Sequence, residues 1–173
     1  NNSPILDLGN DTTLCNGTTI VLDAGIGNNY LWQDGTNDSI FNVSISGNYK
    51  VTVGNANGCS SSDSINVNIL SPIVAVIDST NVSCYGLSDG TASATVSGGL
   101  APYSYLWIND GQTYTTPFAN NLVAGTYSFV ITDSNGCTLT DSVIISEPTL
   151  LTATLSNSDL ELTCYGENNG QTH

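Results

Sequence analysis

Residues 125–137 read GTYSFVITDSNGC, and residues 47–59 read GNYKVTVGNANGC. Gly47, Tyr49 and Cys59 recur as Gly125, Tyr127 and Cys137 at a constant offset of 78, with Asn-Gly before each cysteine. Within each stretch apolar and polar side chains alternate: Tyr49, Val51 and Val53 against Lys50 and Thr52, then Tyr127, Phe129 and Ile131. Period-two alternation ending in an Asn-Gly turn predicts a half-buried antiparallel strand running into a hairpin. The same strand and turn used twice predicts a tandem of small β domains.

Landmarks on either side extend the repeat. YLWQDG at 30–35 answers YLWINDG at 105–111, and VSCYGLSDG from 82 is echoed by LTCYGENNG from 162, where Cys84 and Cys164 lie 80 apart. LCNG around Cys15 keeps the Cys-x-Gly of those openings. INVNI at 65–69 alternates strictly, and TIVLDA and TASATV supply a strand after each opening cysteine. Short strands with turn signals every 8 to 12 residues or so predict antiparallel β-sandwiches. A Tyr ten residues before a Cys and a Trp on a middle strand follow the immunoglobulin plan. Cys59 and Cys137, however, come after the turn, where antibody domains place the cysteine inside the strand; we therefore expect the bridge to tie loops at one end of each sandwich. Pro72 and Pro148 fall after the last strand of each unit, ending its pairing and stiffening the junction. The expected division is 1–70, 71–148 and, from 149 to 173, the truncated start of a third unit, too short to bury a core.

Fifteen acidic residues face one base, Lys50, and the formal net charge is −14. A chain so poor in cations has little with which to neutralise phosphates, which disfavours nucleic acid and anionic membranes as partners. No apolar run is long enough to span a bilayer. With no methionine in the sequence, we expect the native N-terminus, and any export signal, to lie outside it.

Five cysteines fall on the repeat as one pair per unit, Cys15–Cys59 and Cys84–Cys137, with Cys164 left unpaired in this stretch. Zinc is the competing reading, but there is no C-x-x-C and the one histidine is the terminal His173. Paired cysteines point to an oxidising, extracytoplasmic location, and closing a loop of some 45 residues contributes about 4 kcal/mol on the chain-entropy estimate.

Catalytic chemistry finds no footing. A nucleophilic triad lacks its histidine within the units. The carboxylates nearest the tryptophans, Asp34 and Asp110, belong to Asp-Gly turns whose geometry already explains them. Trp32 and Trp107 are candidate sugar-stacking platforms, although one Trp per sandwich is more often core. Asp7, Asp11, Asp23, Asp89 and Asp133 form no dense calcium pattern. We expect neither cofactor nor metal. Sequons occur at Asn10, Asn16, Asn37, Asn42 and Asn81. Asp-Ser/Thr pairs make Thr12, Ser39, Ser64, Ser79 and Ser142 candidate O-glycosylation acceptors, although Asp-Ser is equally a turn and strand-edge dipeptide.

From Cys84 to Pro148 the second unit resembles the repeat of SprB-type adhesins, cell-surface proteins of gliding Bacteroidota. The resemblance rests on Cys84, Gly86, Asp89-Gly90, Gly98-Gly99, Pro102-Tyr103, Tyr105, Trp107, Gly125, Tyr127 and Asn135-Gly136-Cys137. The unit before it is similar to the Ig-like or PKD-like modules of such proteins and lacks the Gly-Gly-x-x-Pro-Tyr element. The resemblance implies export by the type 9 secretion system, display on the outer surface, and a non-catalytic role in adhesion and gliding. It also implies further repeats of the same chain, the secretion and gliding machinery and surface polysaccharide as partners, and the Asp-Ser/Thr sites as its O-glycosylation signal. The alternatives are an ancillary or carbohydrate-binding module of a secreted enzyme, and a passive stalk.

Overall fold

The structure, a computed structural model, describes residues 2–152. It holds thirteen strands in two sandwiches. The first comprises β1 (Thr12–Leu14), β2 (Ile20–Asp23), β3 (Asn29–Trp32), β4 (Ile40–Val43), β5 (Gly47–Gly54) and β6 (Ser60–Ile69). One of its sheets runs β1-β6-β5-β3 and the other pairs β2 with β4. The second comprises β7 (Val74–Thr80), β8 (Gly90–Ser97), β9 (Ser104–Asn109), β10 (Gln112–Tyr114), β11 (Phe118–Leu122), β12 (Gly125–Thr132) and β13 (Thr138–Ile145). Its sheets run β10-β9-β12-β13 and β11-β8-β7.

The duplicated stretch forms the first strand and the turn of a long hairpin in both. β5 pairs antiparallel with β6, and β12 with β13. The predicted alternation is realised: Tyr49, Val51 and Val53 are buried, as are Tyr127, Phe129 and Ile131. Each tyrosine also bends its hydroxyl back to donate to a backbone carbonyl four residues upstream, Tyr49 to Ile45 at 2.8 Å and Tyr127 to Val123 at 3.2 Å. This is the tyrosine corner of immunoglobulin sandwiches. Where antibody domains pin their sheets with a disulfide, the first sandwich packs Trp32 of one sheet against Phe41 of the other at 5.0 Å between ring centroids, and in the second Trp107 meets its cross-strand neighbour Phe129 in the same sheet at 4.9 Å. The two cores draw on separate stretches of chain, one ending at Ile69 and the other beginning at Ile73.

The disulfide pattern departs from expectation. Cys15 is bonded to Cys137, across the two sandwiches, with Cα atoms 5.5 Å apart; Cys59 and Cys84 are free thiols. Neither Cys15–Cys59 nor Cys84–Cys137 forms, so the sandwiches are not individually stapled. The reason is the length of the strands. Leu14, just before Cys15, pairs with Ile69 at the far end of β6, whereas Cys59 precedes Ser60 at its near end. Ten residues of extended chain hold the two cysteines roughly 30 Å apart, far beyond the Cα spacing of about 4.4–6.8 Å that a disulfide tolerates. The second sandwich repeats this: the Val82 amide, near Cys84, donates to Ser146 beyond the end of β13, while Cys137 precedes its start. Each unit's opening cysteine therefore lies at its outgoing end and its closing cysteine at its incoming end. Cys164 and most of the 149–173 segment lie outside the described residues.

Candidate functional site at the junction of the sandwiches

Polar and covalent contacts between the sandwiches converge on the incoming end of the second. The connecting segment Ser71-Pro72-Ile73 lies against the Gly98-Gly99 turn after β8, and the Gly99 amide donates to the Ser71 carbonyl at 3.0 Å. Gly98 has φ +74°, and a Cβ there would sit 1.9 Å from the Pro72 carbonyl oxygen. Only glycine fits so close a backbone approach with that φ. Tyr103 follows the cis Ala101–Pro102 bond and donates its hydroxyl to the Gly98 carbonyl, closing the loop.

Asp133 organises the facing turn. It is the one buried polar or charged residue among those described. One carboxylate oxygen accepts from the amides of Asn135 (2.9 Å) and Cys137 (2.8 Å), and the other from Leu100 (2.9 Å). Burial pushes this carboxyl up, but the amides of Cys137, Leu100, Asn135 and Gly136 together outweigh it and hold the group below its ordinary value. The turn so fixed presents Cys137 to Cys15, and Asn135 Nδ2 donates to the Thr13 carbonyl of the first sandwich at 3.3 Å. Gly-Gly-x-x-Pro-Tyr and Asp-Ser-Asn-Gly-Cys, apart in sequence, thus form one clasp. What it can do chemically is hold two domains in a fixed relation.

The other predicted site residues do not join it. Trp32 and Trp107 are 2% and 1% exposed, and their indole N–H groups donate to the Asp38 and Thr116 carbonyls. Neither ring offers a face to a sugar, because each fills the space between its two sheets. Asp34 and Asp110 sit in separate sandwiches, Asp34 accepting from the Thr36 amide and Asp110 occupying a φ of 42° in the β9–β10 hairpin. Hydrogen bonds from Thr36 hold the Asp34 carboxyl below its ordinary value, as those from Ser83 do for Asp89. Asp7, Asp11 and Asp23 likewise accept from the amides of Gly9, Asn66 and Gly25. Among the described residues no three His, Cys, Asp or Glu side chains are grouped to hold a metal. Of the candidate acceptors, Ser64 on β6, Ser79 on β7 and Ser142 on β13 are exposed, while Thr12 and Ser39 are half-buried. Asn10, Asn16, Asn37, Asn42 and Asn81 are exposed.

Fold and junction together define a class, tandem immunoglobulin-like sandwiches joined end to end. The SprB repeat family matches residues 76–112, from within β7 to the start of β10 of the second sandwich. The repeat suggests an extracellular, surface adhesin-type module, and no helix among the described residues is long and apolar enough to cross a membrane. Among solved structures, the chain is similar to the N-terminal eight Ig domains of Down Syndrome Cell Adhesion Molecule, with a TM-score of 0.59, 14% identity, and coverage of 82% of this chain and 27% of that one. It is also similar to the I67–I69 I-band fragment of titin, with a TM-score of 0.49, 19% identity, and coverage of 84% and 65%. The chain thus spans about a quarter of the first of these, and the likeness shows the fold alone. No curated protein matches the sequence.

Proposed function

We propose that the chain is a non-catalytic stretch of a large extracellular repeat adhesin, a rod-like surface module serving adhesion and gliding motility. The observation that carries this is the SprB repeat match within the second sandwich, which is covalently clasped to the sandwich before it. A module that must transmit force along a surface gains from a junction that does not swing, and a bridge between neighbours supplies that where a loose linker would not. Export by the type 9 system and outer-surface display follow from the same resemblance. Ser64, Ser79 and Ser142 are the acceptors whose exposure best suits O-glycosylation. With both tryptophans in the cores, a carbohydrate-binding module has lost the feature that motivated it. Antibody raised against the chain and applied to intact producing cells tests the reading. Labelled spots that travel along the cell surface are the expected result; labelling only after permeabilisation would overturn it.

A further inference from the structure

Cys59 and Cys84 are the closing and opening cysteines that the described junction leaves unused. In that junction Cys15, Ser71, Pro72 and Ile73 line a groove of about 400 Å³ that is completed by Gly136 to Leu139 of the next sandwich. At the outgoing end of the second sandwich, Cys84, Tyr85, Pro148 and Thr149 line a groove of the same volume, about 400 Å³, with Leu150 and Leu151. The parts correspond: an opening cysteine beside an outgoing prolyl segment. Among the described residues no turn supplies the facing wall here, and Tyr85, Leu150 and Leu151 are 54%, 59% and 95% exposed.

The incoming end of the first sandwich shows the complementary half. Asn55 takes the place of Asp133, its Oδ1 accepting from the amides of Asn57 and Cys59, both at 3.0 Å. Tyr30 donates its hydroxyl to the Gly25 carbonyl, as Tyr103 does to Gly98. Ser3-Pro4-Ile5 repeats Ser71-Pro72-Ile73, and Pro4 accepts from Ser61 Oγ, so the entering segment is held against the Cys59 turn. Cys59 stands half-exposed in that turn, with its thiol free.

We propose that the outgoing end around Cys84 receives the Asn-Gly-Cys turn of another module of this kind, head to tail, and that a disulfide between Cys84 and that module's closing cysteine seals the contact. Cys59 is the matching closing cysteine at the other end. The inference rests on the tandem-module reading and extends the Cys15–Cys137 clasp into a ladder with one bridge per junction. Such a contact is heterologous and open-ended, the geometry that builds a filament. In forming it two thiols give up two protons and two electrons to a disulfide oxidant such as oxidised glutathione, which departs as two thiols.

The test uses the full chain with Cys164→Ser, concentrated and exposed to oxidised glutathione, followed by non-reducing electrophoresis and mapping of linked peptides. Heterotypic Cys59–Cys84 links between copies, in clear excess over Cys59–Cys59 and Cys84–Cys84, with oligomers longer than dimers that vanish in Cys84→Ser, are the expected result. Homotypic links at the random proportion, or both thiols left free while Cys15–Cys137 stays intact, would overturn the ladder and leave the clasped pair standing. A Cys84–Cys164 bridge within one native chain would also overturn it. Absence of the Cys15–Cys137 link from the same map would strike the tandem reading itself, and the ladder with it.

Discussion

Asp133 links its turn to its partner loop through three backbone amides, and this couples both segments to the ionisation of its carboxyl. Its carboxyl is held below the ordinary 3.8 in the folded state, so the stability it adds is present above that value and is lost as pH falls through the lower folded value. Asp34 and Asp89 shift in the same direction. Thermal melts from pH 5 downward should therefore show Tm falling below about pH 4, with a shallower fall in Asp133→Asn. Gly98→Ala is expected to destabilise the second sandwich by about 1–3 kcal/mol, because it combines left-handed backbone strain with a collision against the Pro72 carbonyl. Denaturant titration measures it, and Gly111→Ala, with a similar φ but open space around its Cβ, isolates the strain from the collision.

The β5–β6 and β12–β13 hairpins are the elements that the two sandwiches share. Trp107 lies on β9, packed against Phe129 of β12, and is almost wholly buried. Trp107→Ala should cost about 3–5 kcal/mol and, because the two cores share no residues, should leave the Trp32 fluorescence transition of the first sandwich nearly unmoved. Tyr127→Phe removes only the hydroxyl bond to Val123 and should cost on the order of 1 kcal/mol. A loss as large as that of Trp107→Ala would mean the corner carries more than one hydrogen bond. The turn elements were the easiest to read: Asp110-Gly111 connects β9 and β10 by a two-residue loop with both φ positive. β7 was harder, because Val74 and Val76 face outward at 51% and 61% exposure and blur its alternation.

Across the pair, the bridge closes a loop of sequence separation 122, for which chain entropy gives about 5 kcal/mol relative to the reduced unfolded chain. Cys15→Ser should lower the midpoint of unfolding and also free the sandwiches to reorient. Small-angle scattering checks the second effect, with a broader distribution of interatomic distances expected for the variant and for the reduced protein. Identical scattering curves would show that the Gly98-Gly99 and Asn135 contacts hold the junction unaided.

Strand periodicity, the Asn-Gly turns, the matched tryptophans and tyrosines and the 78-residue offset were all legible in the chain, because alternation and turn chemistry are local properties that each segment carries with it. The partner of each cysteine was not. Pairing within a unit and pairing between neighbours place cysteines at the same sequence positions, and the choice is made only when β6 and β13 extend far enough to carry the two cysteines of a unit to opposite ends. The tryptophans show the same limit: a Trp beside an Asp-Gly turn reads alike whether it faces solvent or core, and only the closing of one sheet over the other buried Trp32 and Trp107.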